Sequence, residues 1–303
     1  MKTFEITVPG STANVGSGVD CFGIALPLRL HAVISASDTL EFIFGSGFDS
    51  DIELEKNLFL SAALRVCALT GHAFPPVRVV MTTEIPQSRG LASSASAIVA
   101  GALCANELLD SPLTRHELIS VAADIEGHPD NVVPCCEGGF TVAAMIDGQT
   151  LYRKSELHSL RFALAVPQYE LSTAKARAVL PKTVELSCAI GQLQRACLLV
   201  SALENDDRSL LCAASEDLIF TPARRALIPG FDEVCAAAKS AGAFCSMISG
   251  AGPAIIALCD ESCAHEAAIA MGGAFQAIGI QSTTHALCAD NNGARIEFYD
   301  TKE

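Results

Sequence analysis

Positive charge is scarce in this chain: 20 lysines and arginines stand against 34 aspartates and glutamates, a formal net charge of −14. That balance disfavours a nucleic-acid backbone or an anionic membrane surface as partner. No run of aromatic and basic residues offers bases a stacking platform, so a nucleic-acid role has little to rest on. Acidity does not exclude a small anionic ligand, which a few arginines and a helix end can hold against a negative background. No stretch approaches 18 continuous apolar residues, and "MKTFEITVPG" lacks the apolar core of a signal peptide. The expectation is a cytoplasmic protein with no membrane partner. Thirteen cysteines are present, yet there is no CxxC pair and only Cys135 and Cys136 are adjacent. Scattered through apolar segments such as "RACLLV", they read as reduced core thiols rather than disulfides or a metal site. Also missing are GxxxxGK[ST] and GxGxxG, the common nucleotide loops, and any fixed-period repeat.

What remains is a chain that is half hydrophobic, with glycines and prolines interrupting the apolar runs. At 303 residues it suits a compact protein of two domains. Composition resets near residues 155–160, dividing the chain into 1–155 and 156–303. In the first part, residues 3–8 alternate like a strand and break at Pro9-Gly10. Residues 22–37 read as two strands or one bent strand, and 40–44 as another. A largely apolar helix starts after Asn57 and stops at Gly71, and a β-branched strand covers 77–85. Residues 95–109 form a helix of small side chains that should be buried. Residues 114–124 form an amphipathic one with Thr114 and Glu117 as a capping box. A strand over 140–146 follows. The second part reads as strand 160–166, helices 184–203, 207–215 and 231–241, strands 243–248 and 254–259, helix 262–272, then strands 280–287 and 295–298. That is α+β, compatible with a split βαβ arrangement.

Three polar clusters interrupt this pattern. "PGSTANVGSGVDCFG" (9–23) places Asn14 and Asp20 in a glycine-rich turn between strands, as either a substrate pocket or an Asx-stabilised loop. "EIPQSRGLASSASA" (84–97) joins a strand to a helix start. Its free N–H groups could cradle an anion, and a serine oxygen could reach Mg²⁺; equally, Ser93 or Ser94 could simply cap the helix. "SGAGP" (249–253) allows close backbone approach or a hairpin turn. Between them, Glu126 could offer an oxygen to a hard cation, while His128 and Asp130 could contact a polar substrate or close a turn. One histidine with two carboxylates does not make a zinc site. Thr173, Arg177 and Arg224 stand out from apolar or helical surroundings. Two arginines converging on one pocket suit a carboxylate or phosphate; apart, they are solvated charges.

Taken together, the three clusters resemble the small-molecule kinase superfamily of galactokinase, homoserine kinase, mevalonate kinase and phosphomevalonate kinase, over nearly the whole chain. Pro86, Gly90, Leu91, Ala92, Ser93, Ser94 and Ala95 match its phosphate-binding pattern P-x-x-x-G-L-x-S-S-A, with Ala92 where the family often has glycine. "EGHPDNVVPCCEGG", "LSTAKARAVLP" and "ARRALIPGF" are similar to segments of the homoserine kinase branch. The resemblance implies an N-terminal domain like one of a ribosomal small-subunit protein and a ferredoxin-like C-terminal domain, with ATP and Mg²⁺ used at their junction. It implies that Asn14 and Asp20, completed by His128 and Asp130, hold the amino-alcohol portion of homoserine. Arg177 and Arg224 would bind its carboxylate, with Thr173 close to the transferring phosphoryl group. Asn57 would lie near adenine, Gly90 to Ser94 around the nucleotide phosphates, and Ser94 and Glu126 on Mg²⁺. Some branches activate the hydroxyl with an Asp–Lys pair; no equivalent is evident, and the general base stays unassigned. The implied activity is ATP-dependent phosphorylation of L-homoserine in threonine biosynthesis, and the resemblance also implies a homodimer. Phosphorylation of another small alcohol such as mevalonate, or a catalytically silent ligand-binding protein of the same fold, are the alternatives.

Overall fold

In the computed structural model, which describes residues 2–48 and 52–299, the first strand runs straight through its expected break. Strand β1 (Phe4–Val15) pairs antiparallel with β2 (Gly18–Ala36), one long strand rather than two. The ladder slips beside Pro9 and Gly10, so that Pro27 and Leu28 have no residues opposite. Proline lacks a ladder donor, and a bulge is where none is needed. Residues 9–23 are therefore the tip of a β-hairpin, turning at Gly16 and Ser17, and not a loop between strands.

The rest of the first part follows its local signals closely. Strand β3 (Glu41–Phe44) leads to helix α1 (Leu58–Thr70), where Asn57 caps the start by accepting the Leu60 N–H (3.2 Å) and Gly71 ends the helix. After β4 (Val77–Thr83), α2 (Ser93–Leu108) starts two residues earlier than its apolar run suggests and is buried along most of its length. Its small side chains let it lie close against α1. Helix α3 (Arg115–Glu126) has both hydrogen bonds of the Thr114–Glu117 capping box, an arrangement whose loss costs about 0.5–2 kcal/mol. Helix α4 (Pro129–Glu137) begins on a proline, whose missing N–H costs nothing at a first turn. Gly23 lets α4 press onto the hairpin, since a Cβ there would sit 1.9 Å from the Asp130 carbonyl oxygen. Strands β5 (Phe140–Ile146) and β6 (Gln149–Ser155) close this part as a hairpin beside β2.

Beyond it come β7 (Arg161–Pro167), α5 (Thr173–Ala178), α6 (Leu186–Glu204), α7 (Arg208–Ala214), α8 (Phe220–Arg224) and α9 (Phe231–Ser240). Next are β8 (Cys245–Ile248), β9 (Ile255–Cys259), α10 (Ala264–Ala277), β10 (Ser282–Leu287) and β11 (Arg295–Phe298). Helices α5 and α8 have too few residues to show a helical period, and nothing in the sequence pattern marks them. The second sheet is fully antiparallel in the order β10-β7-β9-β8, which is the ferredoxin-like arrangement, with α9 and α10 closing an apolar core. The larger sheet runs β11-β1-β2-β4-β3, with β5 and β6 attached to β2.

That order corrects the expected division at 156: β11, near the end of the chain, pairs with β1 in the first domain's sheet. The pairing satisfies an edge that would otherwise be open, and Phe298 packs at a tilt against Phe4, with 5.8 Å between ring centroids. Helix α6 is long and apolar enough to span a bilayer by length and composition, but its buried Gln192, Leu199, Ala202 and Leu203 face the protein. All thirteen cysteines are free thiols, as expected, although Cys197, Cys212 and Cys288 lie exposed rather than in the core.

Candidate active site

The loop between β4 and α2 is held by its neighbours. Gly90 adopts φ +77°, and a Cβ on it would meet the Ser249 carbonyl oxygen at 2.1 Å. The Ser249 hydroxyl donates to the Gly90 carbonyl (2.8 Å) and accepts from the Thr12 hydroxyl (2.9 Å). The Gly250 N–H donates to Ala13 O (2.9 Å) and the Ala254 N–H to Arg89 O (3.3 Å). "SGAGP" thus turns β8 into β9 and, in the same few residues, ties the loop to the hairpin. Ala92, at φ +62°, is the N-cap of α2, and no side chain caps that end. Neither serine caps the helix, and the first N–H groups stay open to an anion. Ser94 instead donates its hydroxyl proton to Glu126 Oε1 at 2.6 Å. Burial raises the Glu126 carboxyl above its ordinary value; the Ser94 bond works against the rise and the Asp130 charge adds to it.

Asn14 and Asp20 face each other across the hairpin tip. Both adopt positive φ (56° and 54°), which short Asx side chains tolerate better than most, and Asn14 Oδ1 accepts the Asp20 N–H at 2.9 Å. The Asp20 carboxylate takes a two-pronged bond from Arg177 of α5 (2.8 and 3.1 Å). Arg224 of α8 is only 3% exposed, and it donates to Ala176 O (3.4 Å) and Gly250 O (3.3 Å). Burial lowers its pKa, against the attraction of Asp20. At the start of α4, His128 Nδ1 donates to Asp130 Oδ1 at 2.7 Å. Burial opposes the imidazolium, but the bond and charge of Asp130, with the charge of Glu126, outweigh it and raise the pKa. Asp130 is buried and its Oδ2 has no partner, a costly state for a carboxylate oxygen and one a ligand cation would relieve.

These groups line one cavity of about 260 Å³: Asn14, Asp20, Gly90 to Ser94, Glu126, His128, Asp130, Thr173, Arg177 and Arg224. The two arginines converge. Asn57 lies apart, in an adjoining recess of about 350 Å³ with Phe44, Phe48, Leu58 and Met81. The recess shares Ser88, Ser93 and Ser94 with the polar cavity. The Asn57 amide nitrogen is buried there without a partner. Pro86 lines neither space and only shapes the loop. Ser88, Asn131 and Ser172 also reach the cavity and were not singled out by the sequence. Asn131, whose Oδ1 accepts from Ser11 Oγ at 2.9 Å, had a signal in being polar ahead of the apolar "VVPCC". No lysine is among the residues lining the cavity.

A two-domain fold with an open helix start, a serine–carboxylate pair and converging arginines in one polar cleft defines the small-molecule kinase class. Residues 57–139 match the family model "GHMP kinases N terminal domain", and residues 199–276 match "GHMP kinases C terminal". The chain is 39% identical over 302 residues to a homoserine kinase of Synechocystis sp., covering 98% of this chain and 99% of that one. The crystal structure of homoserine kinase from Cytophaga hutchinsonii matches with TM-score 0.89 and 31% identity over 98% of each chain. Mevalonate diphosphate decarboxylase from Staphylococcus aureus shares the fold alone, at TM-score 0.73 and 16% identity over 98% of each chain. The chain belongs to the GHMP kinase family, among its homoserine kinases.

Proposed function

We propose that the protein transfers the γ-phosphoryl group of ATP to the side-chain hydroxyl of L-homoserine, giving O-phospho-L-homoserine and ADP. The observation that carries this reading is the meeting, in one cleft, of an open helix N-terminus and groups matched to a zwitterion. Asp130, with its unpartnered oxygen, and Asp20 with Asn14 suit the substrate ammonium, and His128 orients Asp130. Arg224 and Arg177 suit the carboxylate. The substrate hydroxyl would then lie toward Thr173 and the start of α2. Its oxygen forms the new bond to phosphorus, the bond from phosphorus to the ADP oxygen breaks, and the hydroxyl proton is released.

Phosphoryl transfer asks the protein mainly for alignment and for compensation of charge on the transferring oxygens. Here the N–H groups of α2 supply that compensation. Ser94 and Glu126 are an all-oxygen pair 2.6 Å apart, a donor set that fits Mg²⁺. When bound, the cation neutralises phosphate charge. The apolar recess with the free Asn57 amide fits the nucleotide base. No lysine lines the cavity, which suits a site that positions the hydroxyl rather than one that strips its proton beforehand. A cytoplasmic homodimer completes the proposal, and the apolar outer face of α6 supports the dimer.

Steady-state assay with ATP and Mg²⁺ on L-homoserine, mevalonate, L-threonine and galactose tests the function. Homoserine should give the highest kcat/KM by at least about 100-fold, the discrimination expected when charged partners are left unpaired by the wrong substrate. No transfer to homoserine overturns the reading.

A further inference from the structure

Gln192 lies in the middle of α6, and the neighbouring Ile190 and Leu193 are exposed while it is only 8% exposed itself. Arg177, 15 positions earlier in the chain, is the pocket residue nearest to it in sequence, and Gln192 lines no part of the pocket itself. Both of its amide protons and its carbonyl oxygen are engaged between the two halves of that pocket. Its Nε2 donates to the Ser17 carbonyl (2.8 Å) and to Asp217 Oδ1 (3.0 Å), and its Oε1 accepts the Leu218 N–H (2.9 Å).

Each partner controls a different part of the site. Ser17 is the turn of the β1–β2 hairpin, between Asn14 and Asp20, and its own hydroxyl donates to Ala214 O at 2.8 Å. Asp217 organises the start of α8: Oδ1 accepts the N–H groups of Ile219 and Phe220 (both 3.0 Å), and Oδ2 accepts that of Thr221. Arg224 stands at the other end of α8. One amide therefore joins the hairpin that carries Asn14 and Asp20 to the short helix that carries Arg224. A longer path runs through Gly250, whose N–H donates to Ala13 O (2.9 Å) and whose carbonyl accepts from Arg224 (3.3 Å). The exposed Asp20–Arg177 pair ties the hairpin to α5 rather than to α8, and screening weakens it.

We propose that Gln192 is a positioning residue for homoserine: it fixes the distance between Arg224 and the Asn14–Asp20 hairpin, and so between the groups that receive the two charged ends of the substrate. The inference rests on the assignment of Arg224 and Asp20 to substrate binding. A five-residue helix has little stability of its own, so the register of α8 depends on what Asp217 and Gln192 hold. Without the amide, the Ser17 carbonyl and the Leu218 N–H lose their buried partner. Gln192 makes no side-chain hydrogen bond, among the described residues, to the nucleotide side built from α2, α3 and the Gly90 loop, which should not respond.

The test is a KM split. Gln192→Met keeps the volume and removes all three bonds; Gln192→Glu keeps the shape and the acceptor for Leu218 but sets a carboxylate against Asp217. Both should raise the KM for homoserine roughly 10-fold, as expected for coupled neighbours, with the KM for ATP within about 2-fold. Arg224→Ala alone should raise the homoserine KM roughly 10- to 1,000-fold. Adding Gln192→Met to it should then cost little more, because the amide acts through the arginine. Homoserine and ATP constants that shift together, or effects of the two substitutions that simply add, overturn the positioning role. If Arg224→Ala leaves the homoserine KM unchanged, the substrate assignment beneath the inference falls instead. Should the Met variant fail to fold, the Glu variant carries the same measurement.

Discussion

Glu126 keeps a carboxylate where burial disfavours charge, and Ser94 is its one hydrogen-bond partner among the described residues. A charge held in such a place is explained by a ligand better than by stability. Glu126→Gln preserves the shape and can still accept from Ser94. It should lower kcat by about 100-fold or more, as loss of a charge-compensating group does, with less effect on the KM for homoserine. The melting temperature of the ligand-free variant should not fall, because the removed charge was costly there; calorimetry checks this. A kcat unchanged at saturating ATP would remove Glu126 from the proposed cation site. Asp130 is the second residue of this kind, with one oxygen on His128 and the other waiting. Asp130→Asn should raise the homoserine KM by at least about 10-fold, measured beside an unchanged KM for ATP.

Among the elements, the Gly90 loop depends most on close contact. Gly90→Ala would put a Cβ into the Ser249 carbonyl at a positive φ. A loss of about 1–3 kcal/mol in stability is expected, together with a rise in the KM for ATP that exceeds the rise for homoserine. Denaturant melts and initial rates measure the two. The motif at this loop was legible, but its support was not: "SGAGP" reads as a hairpin turn, and only the fold brings Ser249 under Gly90. Helices α1 and α3 were legible because Asn57, Gly71, Thr114 and Glu117 are local signals, complete within a few residues. Pro9 and Gly10 misled because a bulge depends on the partner strand, where Pro27 sits. Helices α5 and α8 carry Arg177 and Arg224, yet they are shorter than two helical turns, so no periodicity announces them. Gln192 did have a signal. It shares a helical face with Leu199 and Leu203, seven and eleven residues on, and a lone amide on a buried face calls for partners.

For the molecule as a whole, the outer face of α6 carries the two most exposed large hydrophobic side chains among the described residues, Leu186 and Leu193. Leu186 is 74%, Ile190 47% and Leu193 65% exposed, at spacings of four and three that form a seam suited to another helix. Sedimentation should find a dimer that Leu193→Glu converts to monomer with homoserine turnover retained; a monomeric parent at micromolar concentration rejects the dimer. The pairing of β11 with β1 bears on how the cleft can move. The ferredoxin-like unit leaves the larger sheet after β6 and returns to it at β11, so it is anchored at two places. The two units also share one buried core, in which Val8 and Leu26 lie with Leu164 and Met247, so the walls of the cleft are braced against each other and Arg224 is held in register with the hairpin before any ligand arrives.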